Sequence, residues 1–210
     1  VWMSGRSVIL YLHGLNSAGS SGKAAVFREG LYPIVVVSPT YPAHRPEAAI
    51  TTLSVVLEGI LRQKKRGEPL LLIGSSMGGF YSQYLARQFP VDHLVMINPA
   101  LRPWDLLLQV AGWQYNEALD ERYLLSAEDI ESTRQFEVER VDDGIVTTLL
   151  LDQGDELIDY RITQSIYADI GRVELYEGGS HTFEHMDEAV EIVAAIHDSL
   201  LRNEQDVGCR

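Results

Sequence analysis

Short, nearly continuous apolar runs alternate along this chain with longer stretches in which apolar residues recur every three or four positions. The runs are "SVILYL" (7–12), "IVVVS" (34–38), "LLLIG" (70–74), "HLVMIN" (93–98), "IVTTLLLD" (145–152) and "RVELYE" (172–177). Most lack polar alternation, which predicts strands of a parallel sheet covered on both faces. Between them, Ala49, Leu53, Val56, Leu57, Ile60 and Leu61 keep helical spacing over 46–62. Pro46 suits the first turn of that helix, and Lys64 to Gly67 suit its end. A second stripe, Ala189, Val190, Val193, Ile196 and Leu200, predicts a helix over 184–201, and 159–170 is a shorter candidate. Strand and helix in alternation argue for an α/β sheet with right-handed crossovers.

One interval breaks the rhythm. Residues 99–144 separate two strands and contain Pro103, Trp104, Trp113, Tyr115 and Tyr123, with helical pieces over 103–111 and 127–135. That is too long for a plain crossover, so it reads as a short helical lid or binding excursion.

Composition narrows the picture. A chain of 210 residues, 46% apolar, fits one domain spanning 1–210 with a core that needs neither metal nor disulfide. The single cysteine, Cys209, allows no intrachain disulfide and permits a reducing compartment. No apolar run is long enough to span a bilayer, and the start, "VWMSGRS", lacks the order of a signal peptide, so no membrane partner is expected. The formal net charge of −13 argues against nucleic acid as a partner. Residues 116–160 hold 14 of the 30 acids and only 3 of the 17 bases, which reads as a solvated acidic face.

Chemistry enters at "LLLIGSSMGGF" (70–80), where a predicted strand runs into two serines and three glycines. The stretch contains G-x-S-x-G with Gly74, Ser76 and Gly78 in the fixed places. A strand that reverses tightly into a helix pushes out the hydroxyl of its middle residue, and glycine two positions either side avoids a clash. This register makes Ser76 the nucleophile and Ser75 a small neighbour. A plain helix N-cap is the competing explanation, so the partners decide.

A serine hydroxyl needs a base, which should follow a later strand. His181 in "EGGSHTF" stands there, whereas His185 is expected inside the last helix, His197 lies mid-helix, and His44 and His93 lie upstream. His181 and His185 are four apart, as in some zinc sites, but no third ligand cluster accompanies them. The carboxylate that orients the imidazole should end the penultimate strand. "LLLDQGDELIDY" offers Asp152, Asp155, Glu156 and Asp159. Asp155 follows Gly154 in the turn and is preferred; Asp159, a natural N-cap, is the reserve, and Asp105 a weaker alternative. The oxyanion hole needs two backbone N–H groups. Met77 supplies one, and Leu15 or Asn16, after His13-Gly14, the other. His13 itself reads as a brace for that loop. "GSSGKA" departs from the phosphate-loop pattern because Ala24 follows Lys23, which rejects nucleotide binding. Tyr41, Phe80, Trp104 and Trp113 are candidates for an apolar pocket wall.

The combination of "YLHGLNSAGSSGKA", "GSSMGGFYSQYLA", "NPALRP", "DQGDELIDYR" and "EGGSHTFEH" resembles the α/β-hydrolase superfamily, and within it the small bacterial esterases of the YqiA/YcfP type. The resemblance implies an α/β-hydrolase fold, a mostly parallel central sheet flanked by helices with a lid insertion at about 99–144. It also implies a cytoplasmic ester or thioester hydrolase that uses no cofactor and no metal, with Ser76, Asp155 and His181 as its triad. Its partner would be a small-molecule ester or thioester. Two alternatives stay open: an acyltransferase or acyl-CoA thioesterase with the same residues, and a non-catalytic hydrolase-fold binding protein. The acidity argues mildly against an anionic CoA ligand, and no triad member is missing, as it usually is in the binding proteins.

Overall fold

The computed structural model describes residues 7–139, 141 and 144–208; Cys209 lies outside them. In chain order the elements are β1 (Val8–Leu12), α1 (Gly22–Gly30), β2 (Val35–Val37), α2 (Pro46–Gln63), β3 (Leu70–Ser75), α3 (Met77–Gln88) and β4 (His93–Ile97). Then come α4 (Pro103–Leu107), β5 (Gly112–Asn116), β6 (Glu121–Leu125), α5 (Ala127–Ser132), β7 (Thr147–Asp152), α6 (Tyr160–Tyr167), β8 (Arg172–Tyr176) and α7 (Met186–Gly208). The main sheet has six strands in the order β2-β1-β3-β4-β7-β8, every neighbouring pair parallel.

Successive strand residues point to opposite faces, so the apolar runs feed two cores at once. Leu10, Leu72, Met96 and Leu149 join Leu53 and Leu57 of α2 and Phe80 and Leu85 of α3 on one face. Ile9, Ile73, Val95 and Leu150 meet Phe27 of α1 and Val193 of α7 on the other. Each fully buried aliphatic or aromatic side chain of this kind stabilises the fold by roughly 1.5–3 kcal/mol. Strand order reverses between β1 and β3, and open α/β sheets bind ligands at the carboxyl ends of the strands flanking such a reversal.

Two elements differ from the sequence reading. Helix α1 has no sequence forecast because it buries only Ala24 and Phe27, too few for a stripe; Ser21 caps it, accepting from the Ala24 N–H at 3.4 Å. The excursion carries α4 and α5 near the expected places, each continued by a 3-10 turn (Leu108–Val110 and Thr133–Phe136), but between them lies the antiparallel hairpin β5–β6. Its residues alternate between a buried face, with Asn116, Tyr123 and Leu125, and an exposed one, with Trp113, Tyr115 and Leu124. A short two-stranded ribbon draws its stability from what it packs on. Here Tyr123 donates to Asn16 Oδ1 at 2.6 Å, and Asn116 donates to the Ser17 carbonyl at 3.1 Å. His44 stacks on Tyr123 with ring centroids 3.8 Å apart. The hairpin thus sits on the loops that follow β1 and β2.

Candidate active site

The turn from β3 into α3 holds Ser76 at φ 54° and ψ −121°, a conformation that costs a non-glycine residue about 1–3 kcal/mol. Its N–H donates to the Ile97 carbonyl at 3.0 Å, which anchors the turn to β4. The glycines are obligatory on steric grounds. A Cβ on Gly78 would stand 2.1 Å from the Leu12 carbonyl oxygen, and one on Gly74 2.3 Å from that of Gly78. Ser75 is buried within β3, and only Ser76 projects its hydroxyl beyond the sheet at the N-terminus of α3.

Ser76 Oγ lies 2.8 Å from His181 Nε2, and His181 Nδ1 lies 2.9 Å from Asp155 Oδ2 and 3.1 Å from Oδ1. With Nδ1–H donating to the carboxylate, Nε2 is left to accept the serine proton. The Asp155 side chain is 2% exposed and also accepts from the Leu157 and Ile158 N–H groups at 2.9 and 2.8 Å through Oδ1. The two loops that carry these residues are sewn together: Gln153 N–H donates to the Tyr176 carbonyl and Gly154 N–H to that of Gly178. The His181 N–H donates to Glu156 Oε2 at 2.9 Å, and this bond holds the exposed Glu156 carboxyl below its ordinary pKa.

The other candidates fall elsewhere. Asp159 caps α6, accepting from the Arg161 N–H at 3.0 Å, and its hydrogen bonds with Arg161 lower its pKa. Asp105 pairs with Arg102 at 3.1 Å. His185 precedes α7 rather than lying inside it, and it faces Asp152, so the two histidines of "GGSHTFEH" each meet their own aspartate.

A Cβ on Gly14 would come within 3.2 Å of the Ser76 Cβ and 3.5 Å of its Oγ, so the loop after β1 runs directly past the hydroxyl. His13 fixes that loop. Its Nδ1–H donates to the Gly14 carbonyl at 2.8 Å, its Nε2 accepts from the Tyr41 N–H at 3.4 Å, and its ring stacks on Tyr41. The Tyr41 hydroxyl donates to the His13 carbonyl in turn. Burial lowers the His13 pKa, which keeps the brace neutral. Among the described residues, neither the Leu15 nor the Met77 amide N–H finds an acceptor.

A cleft of about 230 Å³ opens beside Leu15, walled by Tyr41, Pro42 and Ala43 and roofed by Leu119 and Tyr123 of the hairpin region. Of the four expected pocket residues, only Tyr41 lines it. Phe80 and Trp104 are core instead, packed edge to face at 6.3 Å, with the Arg134 guanidinium 4.6 Å over the indole. Trp113 is 76% exposed on the outer face of the hairpin.

One residue with no forecast role is Asn98. It is buried at φ 40°; its Nδ2 donates to the Ser180 carbonyl at 3.0 Å and reaches that of His181 at 3.4 Å, while its Oδ1 accepts from the Asp152 N–H at 2.9 Å. The signal available in sequence was its place in "NPALRP", at the end of β4.

The fold matches those of known hydrolases at low sequence identity. Est1E from Butyrivibrio proteoclasticus superimposes with a TM-score of 0.73 at 13% identity, covering 95% of this chain and 90% of that one. The mouse alpha/beta hydrolase domain-containing protein 10 gives 0.69 at 15% identity, covering 96% and 92%. A structure of the metagenome-derived lipolytic enzymes LipS and LipT gives 0.69 at 16% identity, covering 95% and 96%. These likenesses establish the α/β-hydrolase fold. Residues 8–197 match the pattern of an uncharacterised protein family, and the chain is a member of that family, UPF0227.

Proposed function

We propose that this protein is a serine hydrolase that cleaves carboxylic esters of small molecules through an acyl-enzyme. The observation that carries the reading is the hydrogen-bonded series Ser76 Oγ, His181 and Asp155, at 2.8 and 2.9 Å, with the serine on a strained strand-to-helix turn. Ser76 attacks the ester carbonyl while His181 Nε2 takes its proton. Asp155 balances the imidazolium charge, and the Leu15 and Met77 N–H groups stabilise the oxyanion. His181 then protonates the leaving alcohol and activates the water that frees the acid. The cleft beside Leu15 accommodates one side of the ester. Thioesters fit the same chemistry, although a net charge of −13 disfavours strongly anionic carriers.

Labelling with a fluorophosphonate tests this. The parent and Ser75→Ala are expected to label, and Ser76→Ala is not. Turnover of p-nitrophenyl acetate by Ser76→Ala should fall on the order of 10⁴-fold or more in kcat. A parent that never labels contradicts a serine nucleophile, and labelling that survives Ser76→Ala but vanishes with Ser75→Ala contradicts the register.

A further inference from the structure

Asp152 ends β7 three residues before the triad acid, and its side chain is completely buried. A buried carboxylate needs its oxygens satisfied, and among the described residues each hydrogen-bond donor to this side chain comes from the loop that bears His181. Oδ2 accepts from the Ser180 N–H at 3.2 Å and the Glu184 N–H at 2.8 Å, and Oδ1 accepts from His185 Nδ1–H at 2.6 Å. The approach is so close that a Cβ on Gly179 would lie 1.9 Å from Oδ2, at a φ of +71°. His185 is held from its other side, its ring stacked on Tyr176 at 4.6 Å with Phe183 at 6.1 Å. Lys23 of α1 also feels the Asp152 charge, which partly offsets the lowering of its pKa by burial.

These contacts straddle His181. Asp152 takes the N–H of the residue before it, Asn98 takes the carbonyls of that residue and of His181, and Asp152 takes a second N–H three residues after it. The backbone that aims the His181 ring is therefore pinned on both sides to the ends of β4 and β7.

We infer that Asp152 and His185 form a positioning pair that clamps the 178–185 loop and so sets where the His181 ring meets Ser76. The pair touches no reacting atom. The inference rests on the serine-hydrolase reading and assigns the second histidine of "GGSHTFEH" a task which that reading leaves open. Reacting groups displaced by about 1 Å lose on the order of 10²-fold in rate, so loss of the clamp lowers turnover without emptying the binding cleft.

Three variants test the pair. Asp152→Asn turns one acceptor into a donor. His185→Phe keeps the stack on Tyr176 but loses the Nδ1–H donor, and His185→Asn keeps a donor near the Nδ1 position. Two readouts are taken: steady-state kinetics on p-nitrophenyl acetate, and the ¹⁵N resonances of the His181 ring, which need no turnover. We expect Asp152→Asn and His185→Phe to lower kcat about 10- to 100-fold with little change in KM. Their His181 resonances move toward a mixture of tautomers, while His185→Asn stays near the parent in both. Parental kcat and unmoved His181 resonances in His185→Phe and Asp152→Asn overturn the inference. So does a loss in all three variants that merely follows their thermal stability. A parent that never labels with fluorophosphonate, together with the expected ring shifts in Asp152→Asn and His185→Phe, rejects the hydrolase reading and retains the clamp.

Discussion

Replacing Asp155 by asparagine probes the proposed chemistry most directly, because the structure dictates how the amide must sit. Oδ1 of Asp155 accepts both the Leu157 and Ile158 N–H groups, so the amide oxygen of asparagine stays there. The amide nitrogen then takes the place of Oδ2, 2.9 Å from His181 Nδ1. Donor faces donor, and the imidazole avoids this only by moving its proton to Nε2, where it can no longer accept from Ser76. The charge is lost as well. At the observed 2.9 Å, the attraction between carboxylate and imidazolium is about 6 kcal/mol for an effective dielectric constant of about 20. Two amide N–H groups already disperse the carboxylate charge, and the His181 side chain is 17% exposed, so we take about 4–5 kcal/mol as the net effect. That corresponds to a fall of about 10³- to 10⁴-fold in kcat. The assay is p-nitrophenyl acetate turnover on enzyme whose thermal midpoint matches the parent, with the fluorophosphonate labelling rate as a parallel readout. A decrease below tenfold, or a larger decrease from Asp159→Asn, would refute the assignment.

Stability should also respond to acid through His93. It is buried, hydrogen-bonded to Thr148 at 2.9 Å, and burial followed by the charge of Arg172 pushes its pKa from 6.5 to about 4. The unfolded chain binds a proton that the folded chain refuses. Stability is therefore full above pH 6.5 and falls as the pH drops toward 4, by about 3 kcal/mol at most. Urea midpoints measured across this range should show a shallower slope in His93→Gln, and superimposable slopes would reject this origin. Among the aromatic residues, Trp113→Ala should change unfolding free energy by less than about 0.5 kcal/mol. Phe80→Ala should cost about 3–5 kcal/mol. Equal effects on urea denaturation would contradict their opposite burial.

The local pattern of the chain was enough to locate the six strands of the main sheet. Strands β1, β3, β4 and β7 are apolar runs whose burial on both faces leaves little room for polar residues, while the edge strand β8 keeps Arg172 and Glu174 in a β-branched and aromatic run. It also located the Ser76 turn, because the clash that excludes a side chain at Gly74 and Gly78 comes from chain a few residues away or from the adjoining strand. The order of Asp155 and His181 along the chain follows from the same alternation, and the structure brings both to Ser76. Tertiary structure decided whatever depended on distant partners. Trp104 and Trp113 both fall in the excursion, yet Trp104 of α4 is sealed between Phe80 and Arg134, whereas the hairpin register turns Trp113 to the uncovered side of the ribbon. Helix α1 buries too little to announce itself. Asp152, at the end of β7, and Asp155, in the loop after it, sit three residues apart, and the fold alone gives the first to His185 and the second to His181. Hydrogen bonds between loops far apart in sequence make that division, and no periodicity along the chain records them.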